Sequence, residues 1–148
     1  MISEKLFQGY DENFISNKIV PLPNLNKEQN DDLVLDDKGN NVIKYINYSL
    51  QQSASHKFPF YTATNIDGIQ FKKVPRKDSW RLDKRIPREF QFGNELYTVA
   101  NSNFDRGHMT KREDVQWGST FGIANSAANS TFFFTNAVPQ HKDLNRVV

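Results

Sequence analysis

A chain of 148 residues has the size of one domain and is long enough to bury a sizeable core. It holds no cysteine, which excludes disulfides and thiolate metal sites, and only three histidines, which argues against a multi-histidine zinc centre. Twelve phenylalanines and a 13% aromatic content argue for a folded chain. No apolar run approaches the roughly 20 residues that cross a bilayer. Met1-Ile2-Ser3-Glu4-Lys5-Leu6 lacks the apolar core of a signal peptide, which points to a soluble, cytoplasmic protein.

Residues 1–40 form an irregular segment of turns, Gly9-Tyr10-Asp11, Pro21-Leu22-Pro23 and Asp36-Asp37-Lys38-Gly39-Asn40, with a net charge of −4 (eight acids, four bases). From residue 41 the pattern becomes regular. Val42 to Gln52 reads as a strand, Phe58 to Asn65 as a second, and Ile69 to Val74 as a third. Asp67-Gly68 between the last two is a tight-hairpin signal. Residues 72–88 form a basic block: eight bases (Lys72, Lys73, Arg76, Lys77, Arg81, Lys84, Arg85, Arg88) against Asp78 and Asp83 give +6. Such a block is an electrostatic footprint for a polyanion, although a lone charge run is more often a solvated surface. Glu95 to Ala100 reads as a short strand. Ser119 to Ser130 reads as a helix with Phe121, Ala124, Ala127 and Ala128 on one side. Phe132-Phe133-Phe134 reads as a buried strand ended by Pro139, and Asp143 as the N-cap of a helix carrying Leu144, Asn145 and Arg146. Strands followed by helices make the fold class α+β with an antiparallel sheet.

The chemistry centres on Asp105-Arg106-Gly107-His108. An imidazole with a pKa near 6.5 accepts a proton from water at neutral pH. Gly107 lets the backbone bend beside His108. Asp105 is close enough in sequence to orient His108 or hold a metal-bound water, and Arg106 adds positive charge. An arbitrary Asp-x-x-His is more often a surface ion pair beside a bystander histidine. Asn145 offers a hard amide oxygen suited to Mg²⁺, and is equally at home near a helix N-terminus for backbone reasons. Asn136 either braces the site or serves a turn. Arg76 is suited to gripping phosphate oxygens, or is one more surface base. His56 and His141 belong to no pattern.

Taken in order, several stretches resemble the DNA/RNA non-specific endonucleases, the ββα-metal (His-Me finger) group that includes endonuclease G. They are Phe104-Asp105-Arg106-Gly107-His108-Met109, Lys111-Arg112-Glu113-Asp114, Trp117-Gly118, Thr131 through Gln140, and Leu144-Asn145-Arg146. Tyr61 through Gly68 and Pro75 through Asp83 are similar to that family's upstream strand and arginine loop. The resemblance implies a ββα-metal site and metal-dependent hydrolysis of DNA and RNA without sequence preference. His108 would be the general base and Asn145 the direct ligand of Mg²⁺, or of Mn²⁺. Arg76 would bind the phosphate, Asp105 would hold the metal's waters, and Arg106, Asn136 and Gln140 would support the site. Lys72, Lys73, Lys77, Arg81 and Arg146 would contact substrate.

One departure stands out. The family's metal-ordering Glu, eight residues beyond the metal Asn, would fall past Val148. The chain thus reads as residues 41–148 of the N-terminal portion of the nuclease domain, one part of a split, cleaved or truncated enzyme completed by a C-terminal chain. The alternative is a non-catalytic nucleic-acid-binding subunit or a fragment needing that complementary chain. A homodimer and an inhibitor are further expected partners, and no membrane is.

Overall fold

The computed structural model describes residues 4–146. Met1–Ser3 and Val147–Val148, which hold the first residues of the expected leaderless start and the end of the last predicted helix, lie outside the described residues.

Two antiparallel sheets and three helices make an α+β fold. The first sheet has the order β1 (Ile43–Lys44), β2 (Tyr48–Gln52), β3 (Pro59–Thr64). The single strand expected over Val42–Gln52 is instead a hairpin, with Ile43 opposite Leu50 and Lys44 opposite Ser49. Asn47, at φ 67°, makes the reversal, and its Nδ2 donates to the carbonyls of Val115 and Trp117. An asparagine tolerates that left-handed conformation better than most side chains. Every residue of β2 is buried, because the strand lies between two neighbours and is covered on both faces.

The predicted third strand does not form. The Asp67 carboxylate accepts from the amides of Ile69 and Gln70 and from the Gln70 side chain, which captures the donors a hairpin would use. Ile69 is 98% exposed, and residues 69–74 keep one isolated bridge, Phe71 to Trp117. The expected strand at Glu95–Ala100 is also absent; Asn94–Leu96 is a 3₁₀ turn. The strand in this region is β4 (Phe104–His108), formed by the Asp-Arg-Gly-His stretch itself.

Helix α2 (Phe121–Ser130) follows the expected span and is capped by Thr120, whose hydroxyl accepts from the Ile123 amide. Ala124, Ala127 and Ala128 are buried, whereas Phe121 is 55% exposed and off the packed side. Phe132–Phe134 is no strand: Phe134 opens a 3₁₀ turn that leads into β5 (Ala137–His141). Pro139 lies inside β5 rather than ending a strand. Pro lacks an N–H, and β5 pairs on one side only, with β4. Helix α3 (Lys142–Arg146) begins one residue before Asp143, so Asp143 sits in its first turn rather than capping it. A short helix, α1 (Lys27–Asp31), lies in the N-terminal segment.

That segment runs along the first sheet. Val34 is 2% exposed in the core, and Leu6 and Phe7 pack against it. Gly9 (φ 78°) donates to the Tyr45 carbonyl, and a Cβ there would sit 2.4 Å from Ser49 Oγ. The core is polarised around two stacked rings, Tyr45 and Tyr48, 4.7 Å apart. Tyr45 Oη donates to Asp83 Oδ2 at 2.7 Å and shares a 2.6 Å hydrogen bond with Thr135 Oγ1. Tyr48 Oη donates to the Ser130 carbonyl at the end of α2. Asp83 in turn holds Arg85 at 2.7 Å. This network joins the first sheet, the basic segment and the turn before β5. Among the described residues, no helix is long and apolar enough to cross a membrane.

Tyr45→Phe leaves Thr135 and one Asp83 oxygen short of a buried partner. We expect a loss of about 1–3 kcal/mol, visible as a lowered midpoint in thermal or urea unfolding followed by circular dichroism. An unchanged midpoint would show that the network does not hold these layers together.

Candidate active site

Strands β4 and β5 pair with Asp105 opposite Gln140, Arg106 opposite Pro139, Gly107 opposite Val138 and His108 opposite Ala137. Alternation along β4 sends Asp105 and Gly107 to one face and Arg106 and His108 to the other. Asp105 therefore does not orient His108, contrary to the expectation from their spacing. Its carboxylate accepts two 2.7 Å bonds from Arg146 and one of 3.2 Å from Asn145 Nδ2, both on α3. The Arg146 bonds hold the Asp105 carboxyl below its usual range.

Gly107 is not a bend either. It lies in regular strand, and its missing side chain makes room for Gln140, whose Cγ and Cδ would be 2.2 Å from a Cβ there. Gln140 leans over the glycine, with its amide 3.5 Å from the His108 carbonyl.

On the opposite face the His108 imidazole packs against Trp80 (centroids 4.7 Å apart) and edge-on against Phe132 (4.9 Å). Its Nε2 is sealed from solvent and has no hydrogen-bond partner among the described residues. Burial first, and the nearby Arg76 charge second, lower its pKa to about 4. His108 is therefore neutral at pH 7. Trp80 is the central ring of this wall: it also meets Phe132 and Phe134, and the Arg106 guanidinium lies 5.8 Å from its centroid. Trp80 was not among the residues expected to form the site; its only sequence signal was its place beside the arginine loop.

Although Asp105 and Arg106 alternate along β4, both border one cleft of about 320 Å³, together with Arg76, Trp80 and Asn145. Arg76 pairs through Nε with Asp78 at 2.7 Å and lies 5.6 Å from the Phe132 ring. Its loop is pinned from below. The buried Arg112 donates to the carbonyls of Val74 and Pro75 at 2.8 and 3.0 Å. Arg112 too lay outside the expected set, although it stands in the Lys111-Arg112-Glu113 stretch. Asn136 is fully buried and binds the strand that carries His108. Its side chain accepts from the Thr110 amide and donates to the Thr110 and Thr131 carbonyls.

The remaining expected substrate contacts are not in the cleft. Lys72 donates to the Gly118 carbonyl at 2.7 Å. Arg81 donates to the Asn129 carbonyl and stacks 3.9 Å over Phe133. Lys73 makes no contact of this kind among the described residues, and Lys77 lines a separate groove. Arg146 is at the cleft edge, committed to Asp105. His56 is bonded to Ser53, and His141 lies beside Phe104 and Asp143.

Asp105 and Asn145 are adjacent oxygen-bearing side chains. Among the described residues, no three His, Asp or Glu side chains gather as a metal-binding group. Asp105 and Asn145 are the residues here whose oxygens could hold a hydrated hard cation. With both Asp105 oxygens held by Arg146, the Asn145 amide oxygen is the available direct donor.

The family described as DNA/RNA non-specific endonuclease matches residues 29–147. The chain belongs to that family. A curated relative, the uncharacterized protein y4fB of Sinorhizobium fredii (strain NBRC 101917 / NGR234), is 36% identical over 149 residues. The match covers 94% of this chain and 22% of the relative, so the chain spans about a fifth of that protein's length. The matched range takes in β1 to β5, the Arg76 loop, His108 and Asn145.

The pKa of His108 has a consequence for stability. Between pH 6.5 and about 4 the unfolded state binds the proton and the folded state does not, so stability falls as the pH is lowered through that window. The full effect is about 3 kcal/mol. His108→Gln should flatten this acid-side loss in urea unfolding measured from pH 7 to pH 4. An equally steep loss in the variant would contradict a buried neutral imidazole.

Proposed function

We propose that this chain carries the catalytic residues of a metal-dependent nuclease that hydrolyses DNA and RNA without sequence preference. The observation that carries this reading is the neutral imidazole of His108 beside a cleft that gathers Arg76, Asp105, Arg106 and Asn145. His108 in its neutral form takes a proton from the attacking water. A phosphate anion arriving beside it raises its pKa again, since a nearby negative charge favours the imidazolium. The water oxygen bonds to phosphorus and the P–O3′ bond breaks; the leaving 3′ oxygen takes a proton from solvent water to become a 3′-hydroxyl, the other product keeps a 5′-phosphate, and the imidazolium of His108 returns its proton to solvent.

Arg76 faces the same cleft and stabilises charge that grows on the phosphoryl oxygens. Arg112 positions it by holding the Val74 and Pro75 carbonyls. Asn145 would hold the divalent cation directly and Asp105 its water shell. Held there, a divalent cation would supply positive charge to offset the charge of the scissile phosphate and its leaving group. Asn136 holds the Thr110 backbone and Gln140 lies against the His108 carbonyl, which keeps the chain after His108 in place. Contacts of this kind go to phosphate and sugar, which carry no base sequence.

In plasmid nicking with Mg²⁺, His108→Ala should reduce cleavage by about 10²–10⁴-fold while oligonucleotide binding persists. Arg76→Ala should cost about 10²–10³-fold. Asn145→Ala should raise the Mg²⁺ concentration needed for half-maximal cleavage. Cleavage by His108→Ala at the unsubstituted rate would overturn the mechanism. Binding without nicking by the unsubstituted chain, under Mg²⁺ or Mn²⁺, would make the chain a binding subunit instead.

A further inference from the structure

The side chains of residues 76–81 divide by parity, the alternation of an extended chain. Arg76, Asp78 and Trp80 line the cleft described above. Lys77, Ser79 and Arg81 line a second, larger groove of about 710 Å³ on the other side of the same segment. Arg81 forms a parallel bridge to Phe133 there, which fixes the segment as the wall between the two depressions. An extended chain sends successive side chains to opposite sides, so this division is built into the backbone.

The second groove is cationic with an apolar floor. Lys77, Arg81, Lys84 and Arg85 face it, and Asp83, the one acid in its lining, is already paired with Arg85. Phe133 forms part of the floor, under the Arg81 guanidinium. Asn125, on the outer side of α2, adds a neutral amide to the rim. Lys77 and Lys84 make no hydrogen bond or ion pair among the described residues, so their charges are available. Part of the basic block thus faces away from the reaction centre, on the reverse of the strip that carries Arg76.

We propose that this groove is a second binding site for nucleic acid, a track in which Lys77 and Lys84 take backbone phosphates of the strand whose scissile bond lies in the cleft. The inference rests on the nuclease reading of that cleft. Two free cations, Lys77 and Lys84, beside the guanidinium groups of Arg81 and Arg85 suit a single strand, whose phosphates are held electrostatically. A strand that crosses the 76–81 wall is held on both sides of Arg76. Substrates too short to cross it are held by the cleft alone.

The test is binding of single-stranded DNA of about four and about twenty nucleotides, followed by fluorescence anisotropy in EDTA over a range of salt. Lys84→Glu is compared with Lys18→Glu, an equal change of charge on the N-terminal segment, and all proteins are checked for an unchanged melting curve. Lys84→Glu should weaken the long oligonucleotide about fivefold and lower its salt slope by about 0.7, with the short one within about twofold. Lys18→Glu should change neither. Lys77→Ala, which removes charge without adding the opposite sign, should repeat the length dependence. Equal loss on both lengths, no loss on either, or the same loss from Lys18→Glu would overturn the track. The two readings fail separately. A chain that nicks plasmid but shows no length-dependent loss keeps the nuclease and loses the groove, whereas a chain that binds neither oligonucleotide loses both.

Discussion

The contact between His108 and Trp80 is the constraint on which the site depends. A histidine in water would be partly protonated near neutral pH. Here the indole and the Phe132 ring replace water around the imidazole, and the charged form loses its hydration. Trp80 is held in turn by the extended 76–81 segment, which is bonded at Arg81 to the backbone of Phe132 and Phe134. The same segment delivers Arg76 to the cleft. One packed ring therefore links the protonation state of His108 to the placement of the arginine. The Tyr45–Asp83–Arg85 network anchors the downstream end of that segment, and Arg112 holds its upstream end.

Arg76, Asp105, Arg106 and Asn145, which border one cleft, stood out in the sequence because they lie in short stretches whose order along the chain is informative. Helix α2 was legible from the spacing of its alanines and the threonine before it. The failures have specific causes. The predicted third strand was lost because Asp67 spends its carboxylate on the amides that a hairpin would pair. The Val42–Gln52 run contains a reversal at Asn47 that hydrophobic periodicity does not reveal. Asp105 and His108 look like partners at a spacing of three, but in a strand that spacing sends them to opposite faces. Gly107 looked like a hinge and is a clearance for Gln140, a neighbour 33 positions away that only strand pairing reveals. Trp80 and Arg112 carried no pattern of their own, since their roles come from contacts across the fold.

The basic block illustrates how charge can mislead when read along the chain. Its eight bases do not form one surface. Lys72, Arg81 and Arg85 bind protein carbonyls or a buried carboxylate, and Arg76 and Arg88 form exposed ion pairs. Exposed pairs contribute little to stability, so the Arg76–Asp78 pair can open at small cost. Arg146, outside the block, is tied to Asp105 in the same exposed manner. Arg76 in the cleft and Arg146 beside it are thus both held in ion pairs.

The central claim is that His108 stands neutral against Trp80 and Phe132 beside the cleft. Titration of its imidazole resonances by NMR, assigned with the His108→Gln variant, measures this directly. A midpoint near 4 is expected in the nucleic-acid-free protein. A midpoint at or above the 6.5 of a free histidine would contradict it.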